Sequence, residues 1–72
     1  MIKFVHRDTK RECFILEIEK DLVLIYIPEN NVTPFVIPAV YKIGWSHWYA
    51  GEYFSDIRGA VDYFNKILEG RK

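Results

Sequence analysis

Apolar and polar positions alternate over residues 13–19, with Phe14, Leu16 and Ile18 on one side of the chain and Ile15, Glu17 and Glu19 on the other. A period of two is the mark of a half-buried strand. Lys20 and Asp21 interrupt it, and residues 22–27 follow as a run of Leu, Val, Ile and Tyr, the most β-prone stretch present. A weaker alternation over residues 2–7 predicts a strand before them. Asp8-Thr9-Lys10 lies between, and Asp and Thr side chains bond nearby backbone groups in turns. Pro28-Glu29-Asn30-Asn31 is the strongest turn signal.

Residues 32–43 carry Pro34 and Pro38. Proline donates no ladder hydrogen bond, so a strand containing it is expected at a sheet edge. Four residues of separation give the two prolines the same parity, so both missing N–H groups point to one side. That side is expected to be the unpaired one, with residues 2–7 forming the opposite, less protected edge.

Toward the C-terminus the period changes. Ile57, Ala60, Val61, Phe64, Ile67 and Leu68 fall at helical spacing, while Arg58, Asp62 and Lys66 alternate in sign at i, i+4 on the other side. Ser55 or Asp56 supplies an N-cap and Gly70 a stop, predicting a helix over residues 55–69. The expected architecture is α+β: a three- to four-stranded antiparallel β-meander over residues 2–43, an aromatic loop over 44–54, and one C-terminal α-helix packed on one face, all in a single domain.

Face arithmetic then exposes a conflict. A two-residue loop at Lys20-Asp21 pairs Ile18 with Val23, Leu16 with Ile25 and Phe14 with Ile27, a wholly apolar face suited to the helix. The other face holds Ile15, Leu22, Leu24 and Tyr26 beside Glu17 and Glu19. One helix cannot cover both. Either the sheet curls, the aromatic segment folds over the second face, or a partner covers it.

That aromatic segment, Gly44-Trp45-Ser46-His47-Trp48-Tyr49-Ala50-Gly51-Glu52-Tyr53-Phe54, holds five aromatic residues and a histidine in eleven positions. Trp and Tyr offer large rigid contact area and dominate binding hot spots. The same residues can instead seal a small core, with Phe54 packing back onto the first helical turns. The candidate interaction surface is Trp45, His47, Trp48, Tyr49 and Tyr53, with Leu24 and Tyr26 from the second sheet face.

Composition narrows the function classes. Seventy-two residues, half of them hydrophobic and 17% aromatic, are rich enough for one core and leave apolar surface over. A single cysteine, Cys13, excludes an internal disulfide framework and points to a reducing compartment. No apolar run approaches the ~18 residues of a membrane span and no leader pattern opens the chain, so a cytoplasmic location and no membrane partner are expected. Net charge is zero, which disfavours nucleic acid as the main partner. Its distribution is uneven: Lys3, Arg7, Lys10 and Arg11 against Asp8 give the first hairpin a local +3, while residues 12–31 carry Glu12, Glu17, Glu19, Asp21 and Glu29 against Lys20.

Chemistry-bearing residues are few. His6 and His47 are the only histidines and nothing has metal-ligand spacing. A Cys13–His6 pair on neighbouring strands is the arrangement that would activate a thiolate, but a strand cysteine more often serves as a small buried hydrophobe. His47 with Glu52 or Asp56 has no spacing that enforces an acid–base geometry. No catalytic, cofactor or metal site is therefore expected. The ending Trp48-x-x-Gly51-x-Tyr53-Phe54-x-Asp56, leading into Ala60-x-x-x-Phe64, resembles small uncharacterised proteins of bacterial phages and mobile elements. That resemblance covers under a third of the chain and implies an accessory or host-interaction role. The expectation is a protein-interaction or regulatory module, self-associating or docking on a protein partner. The alternative is a nucleic-acid-binding module that stacks bases on the aromatics beside the basic first hairpin.

Overall fold

The computed structural model describes residues 2–70. Five strands, β1 (Ile2–Val5), β2 (Glu12–Glu19), β3 (Leu22–Tyr26), β4 (Phe35–Val40) and β5 (Tyr49–Phe54), precede one helix, α1 (Ile57–Gly70). They form a single antiparallel sheet in the order β1-β2-β3-β4-β5. The α+β class and C-terminal helix agree with the pattern, but the strand count is five rather than three or four. The added strand is β5, taken from the segment expected to be a loop.

The β2–β3 hairpin turns through Lys20 and Asp21, with Lys20 at φ 58° in the left-handed region. Ile18 faces Val23, as the pattern predicts. The register then shifts between Ile15 and Glu17, so that Ile15 faces Ile25 and Phe14 faces Tyr26. Leu16 is the extra residue of a bulge, which moves Phe14 and Ile15 to the opposite faces from those expected.

The proline strand is not an edge: β4 lies between β3 and β5. The parity argument itself holds. Pro34 accepts a bond from the Ile27 N–H at 2.7 Å, so the even positions, Pro38 among them, turn their backbone groups toward β3. The β3–β4 ladder is correspondingly short, pairing only Ile25 with Val36 and Tyr26 with Phe35. The odd positions Phe35 and Ile37, opposite Phe54 and Glu52, are left to bond β5. A donor-poor strand thus sits inside the sheet by pairing fully on one side alone.

Gly51 faces Pro38 in that pairing. A Cβ there would lie 3.1 Å from the Ile37 carbonyl oxygen, 3.2 Å from Pro38 Cα and 3.3 Å from Val36 Cγ2. The two backbones approach too closely for a side chain.

Each face of the sheet carries its own core. On one, Leu22, Leu24 and Ile37 pack with Ala60 and Phe64 of the helix, flanked by Leu16, Phe35, Phe54 and Ile67. The Asp56 carboxylate accepts the Arg58 N–H at 2.7 Å and caps the helix, which runs through Gly70 with no left-handed residue at that position. On the other face, Cys13, Ile15, Val23, Ile25, Ile27 and Val36 pack with Tyr41, flanked by Phe4, Trp45 and Trp48. The helix therefore takes the face holding Leu22 and Leu24, opposite to the one expected. The wholly apolar Val23–Ile25–Ile27 face is occupied by residues 41–48, the β4–β5 connection. The face conflict is resolved with the covers exchanged: the helix lies on the second face and the aromatic segment on the face assigned to the helix.

Candidate functional site

Residues 41–48 cross the sheet without regular structure and are fixed by isolated bonds. The Trp45 N–H donates to the Lys42 carbonyl at 2.9 Å, and the Tyr41 hydroxyl donates to the Trp45 carbonyl at 2.9 Å. The Arg7 N–H reaches the Ser46 carbonyl at 2.7 Å, tying the end of the first strand to the connection. Tyr41 stacks on Phe4 at 5.8 Å between centroids, and burial pushes its phenol up.

The seven residues singled out from the sequence separate into three groups. Trp45, His47 and Tyr49 form one cluster. The Trp45 and His47 rings stack at 5.0 Å with 5° between planes, and Tyr49 meets both edge-on at 6.1 and 5.2 Å. The Lys42 ammonium lies 5.9 Å from the Trp45 ring centroid. Tyr49 is 56% exposed, and one side of Trp45 rests on the loop-side core.

Trp48 and Tyr53 form a second group. Trp48 donates its indole N–H to the Tyr53 hydroxyl at 3.0 Å and meets Phe4 and His6 edge-on at 6.3 and 4.7 Å. Leu24 and Tyr26 are the third. Leu24 is 3% exposed beneath the helix, so its expected role as contact surface is corrected. Tyr26 joins a half-buried row with Phe14 (6.4 Å) and Phe35 (5.2 Å) on the helix-side face.

Two concavities flank these groups. Between α1 and β2, Leu16, Leu24, Ile57, Val61 and Phe64 line an apolar groove of about 450 Å³ with Glu17 and Glu19 at its rim. The helix contacts β3, β4 and β5 but leaves the β2 flank open, which keeps Ile57 and Val61 substantially exposed. At the other side of the molecule, His6, Thr9, Arg11, Asn30, Trp48 and Tyr53 surround a cleft of about 200 Å³ floored by Ile27. Sequence reasoning did not single out Arg11, Thr9 and Asn30. They come from two turns far apart in the chain, and no local spacing links them.

Electrostatics separate the reactive candidates from the structural ones. Cys13 is fully buried, and desolvation pushes its thiol up to about 11. Its Sγ–H points to the Arg11 carbonyl at 3.6 Å. A thiol so placed is a core residue at neutral pH. Burial lowers the pKa of His6, with Asp8 opposing that shift and Arg7 and His47 adding to it. Asp8 is held below its usual range by the Arg7 guanidinium, at 3.0 and 3.2 Å. Among the described residues no three His, Cys, Asp or Glu side chains converge as metal ligands, and no helix is long and apolar enough to cross a membrane. Comparison with protein-family models, curated proteins and solved structures finds no match to this chain.

Proposed function

We propose that this chain is a small protein-interaction module whose contact surface is the outer side of the β4–β5 connection, built on Trp45, His47 and Tyr49. The observation that carries this reading is the three-ring cluster, in which His47 and the exposed Tyr49 pack on a Trp45 that is itself anchored on the loop-side core. Rigid aromatics bind with little loss of side-chain entropy, and Lys42 beside Trp45 adds a charge that a partner's carboxylate can meet. The second sheet face, part of the surface expected from sequence, drops out because the helix covers its Leu22 and Leu24. The resemblance of residues 48–64 to small phage and mobile-element proteins adds an accessory role to the proposal. Sedimentation equilibrium over a wide concentration range, with photo-crosslinking from the exposed position 43 of the same connection, tests it. A dimer or a crosslinked protein partner lost in a folded His47→Ala/Tyr49→Ala double variant is the expected result. A monomer that crosslinks to nothing would overturn it.

A second reading, binding of single-stranded nucleic acid, draws on the Arg7–Ser46 bond, which brings the basic first hairpin beside the aromatic cluster. Against it, Arg7 is paired with Asp8 and Lys3 lies 3.9 Å from Glu12, leaving Lys10, Arg11 and Lys42 as the local cations. Anisotropy of a labelled oligothymidylate decides the matter. Binding that weakens steeply with salt supports this reading, and no binding at low salt removes it.

A further inference from the structure

The cleft beside Trp48 has a one-sided hydrogen-bond inventory. His6 Nδ1 accepts the backbone N–H groups of Asp8 and Thr9 at 3.1 and 3.3 Å, which places the ring proton on Nε2. Thr9 Oγ1 accepts the Arg11 N–H at 3.3 Å and keeps its own proton to give. The Tyr53 oxygen accepts from Trp48 and likewise keeps its proton. Asn30 Oδ1 accepts from Val32 and Thr33 at 3.2 and 3.0 Å, while its amide uses one N–H on Thr33 Oγ1 at 3.4 Å and retains the other. Among the described residues the Arg11 guanidinium has no ion-pair or hydrogen-bond partner.

Five side chains thus surround one cleft, each keeping at least one hydrogen to give, while the four that carry acceptor atoms have them engaged. A ligand rich in donors finds little to bond there, whereas a group of several acceptor oxygens meets a donor at each position. Arg11 sets the sign of the charge, since the nearby Asp8 carboxylate is already tied to Arg7 and Glu29 lies on the neighbouring turn outside the lining. Size adds a further constraint. About 200 Å³ falls below the roughly 300–1,000 Å³ of sites for drug-sized ligands, so the cleft suits one small group. We infer that it binds a small oxyanion, a carboxylate or a phosphate group, held by Arg11 with His6, Thr9, Asn30 and Tyr53 and flanked by the Trp48 ring. The lowered pKa of His6 is consistent with this, because the neutral ring leaves Nδ1 unprotonated to hold the turn and keeps its proton on Nε2. None of these five side chains belongs to the Trp45–His47–Tyr49 cluster, so either proposal can fail without the other.

Titration of the full chain with inorganic phosphate and, separately, with acetate tests the inference, at ionic strength fixed with chloride. Proton–nitrogen spectra report on the Trp48 indole and the Arg11 Nε–H. Saturable shifts at both positions with at least one anion are expected, with affinity falling roughly tenfold or more in Arg11→Gln. That variant retains the fold's contacts, because the Thr9, His6 and Cys13 bonds at this position use the Arg11 backbone alone. Response to phosphate only assigns the site to a phosphate group. Response to acetate only assigns it to a carboxylate, such as a chain terminus or acidic side chain. Shifts that fail to saturate, or that persist unchanged in Arg11→Gln, overturn the inference.

Discussion

On the helix side of the sheet, Ala60 and Phe64 reach Leu22, Leu24 and Ile37 from a capped α-helix with a repeating backbone hydrogen-bond ladder. On the other side, Tyr41, Trp45 and Trp48 reach Val23, Ile25 and Val36 from a segment with no repeating backbone structure, positioned by a few single hydrogen bonds. Both covers exclude water from a comparable row of β-branched and aliphatic side chains. They differ in how the loss of one contact spreads. A helix redistributes a lost side chain along a cooperative rod, while an irregular strap has little else to hold it. The proposed contact cluster and the proposed oxyanion cleft both lie on the strap side.

The largest effect expected is at the centre of the helix side. Phe64 is 4% exposed, so Phe64→Ala should cost about 3–5 kcal/mol and leave a domain of this size largely unfolded in chemical denaturation. On the strap side Trp48 is only half-buried, and Trp48→Ala should cost about 2 kcal/mol, near-UV dichroism falling while the helical far-UV signal persists. Equal losses from the two substitutions, with helix and aromatic signals melting together, would erase the distinction between the covers.

Between the two sides, Gly51→Ala tests the sheet itself. The added methyl meets backbone first, at Ile37 and Pro38, with Val36 Cγ2 next, so a cost of about 1–2 kcal/mol is expected from thermal melts, with the Pro38–Gly51 approach widened. A neutral result would mean that β4 and β5 separate freely. The smallest effect is the pH response of the first turn. Because burial lowers the folded-state pKa of His6, its contribution is complete above the unfolded value of about 6.5 and declines as pH falls toward the lower folded value. Protonation at Nδ1 also displaces the Asp8 and Thr9 N–H groups. Stability should therefore drop modestly on acidification through this window, and His6→Ala should flatten that slope. A stability profile that rises on acidification would contradict the assignment.

The helix, its cap and the β2–β3 hairpin were legible because each depends on neighbours within a few residues. Periodicity, an Asp at the right offset and a two-residue turn specify them locally. The bulge at Leu16 was not legible, since an extra residue leaves no mark in a hydrophobic alternation until the partner strand is known. Strand β5 was hidden by Tyr-Ala-Gly-Glu-Tyr-Phe, whose small residues read as loop although Gly51 is there for a close strand approach. Proline parity was read correctly and the wrong neighbour inferred, because sequence specifies the direction of a missing donor and not what lies opposite. Of the candidate site, the aromatic residues stood out by composition. Arg11, Thr9 and Asn30 did not, because only tertiary folding brings their turns together.

The Arg7–Ser46 bond, with the Phe4–Trp48 contact beside it, also bears on the order in which the molecule assembles. It joins residues separated by three strands' worth of chain, whereas the β2–β3 hairpin and the helix close contacts nearby in sequence. Contacts of long sequence separation must overcome the entropy of closing a large loop before any of their energy is gained. Docking of the strap onto the first strand is therefore expected to follow formation of the β2–β3 hairpin and of the helix's own backbone ladder. A folding chain would then pass through a state in which that hairpin and the helix are formed while the Val23–Ile25–Ile27 face is still bare.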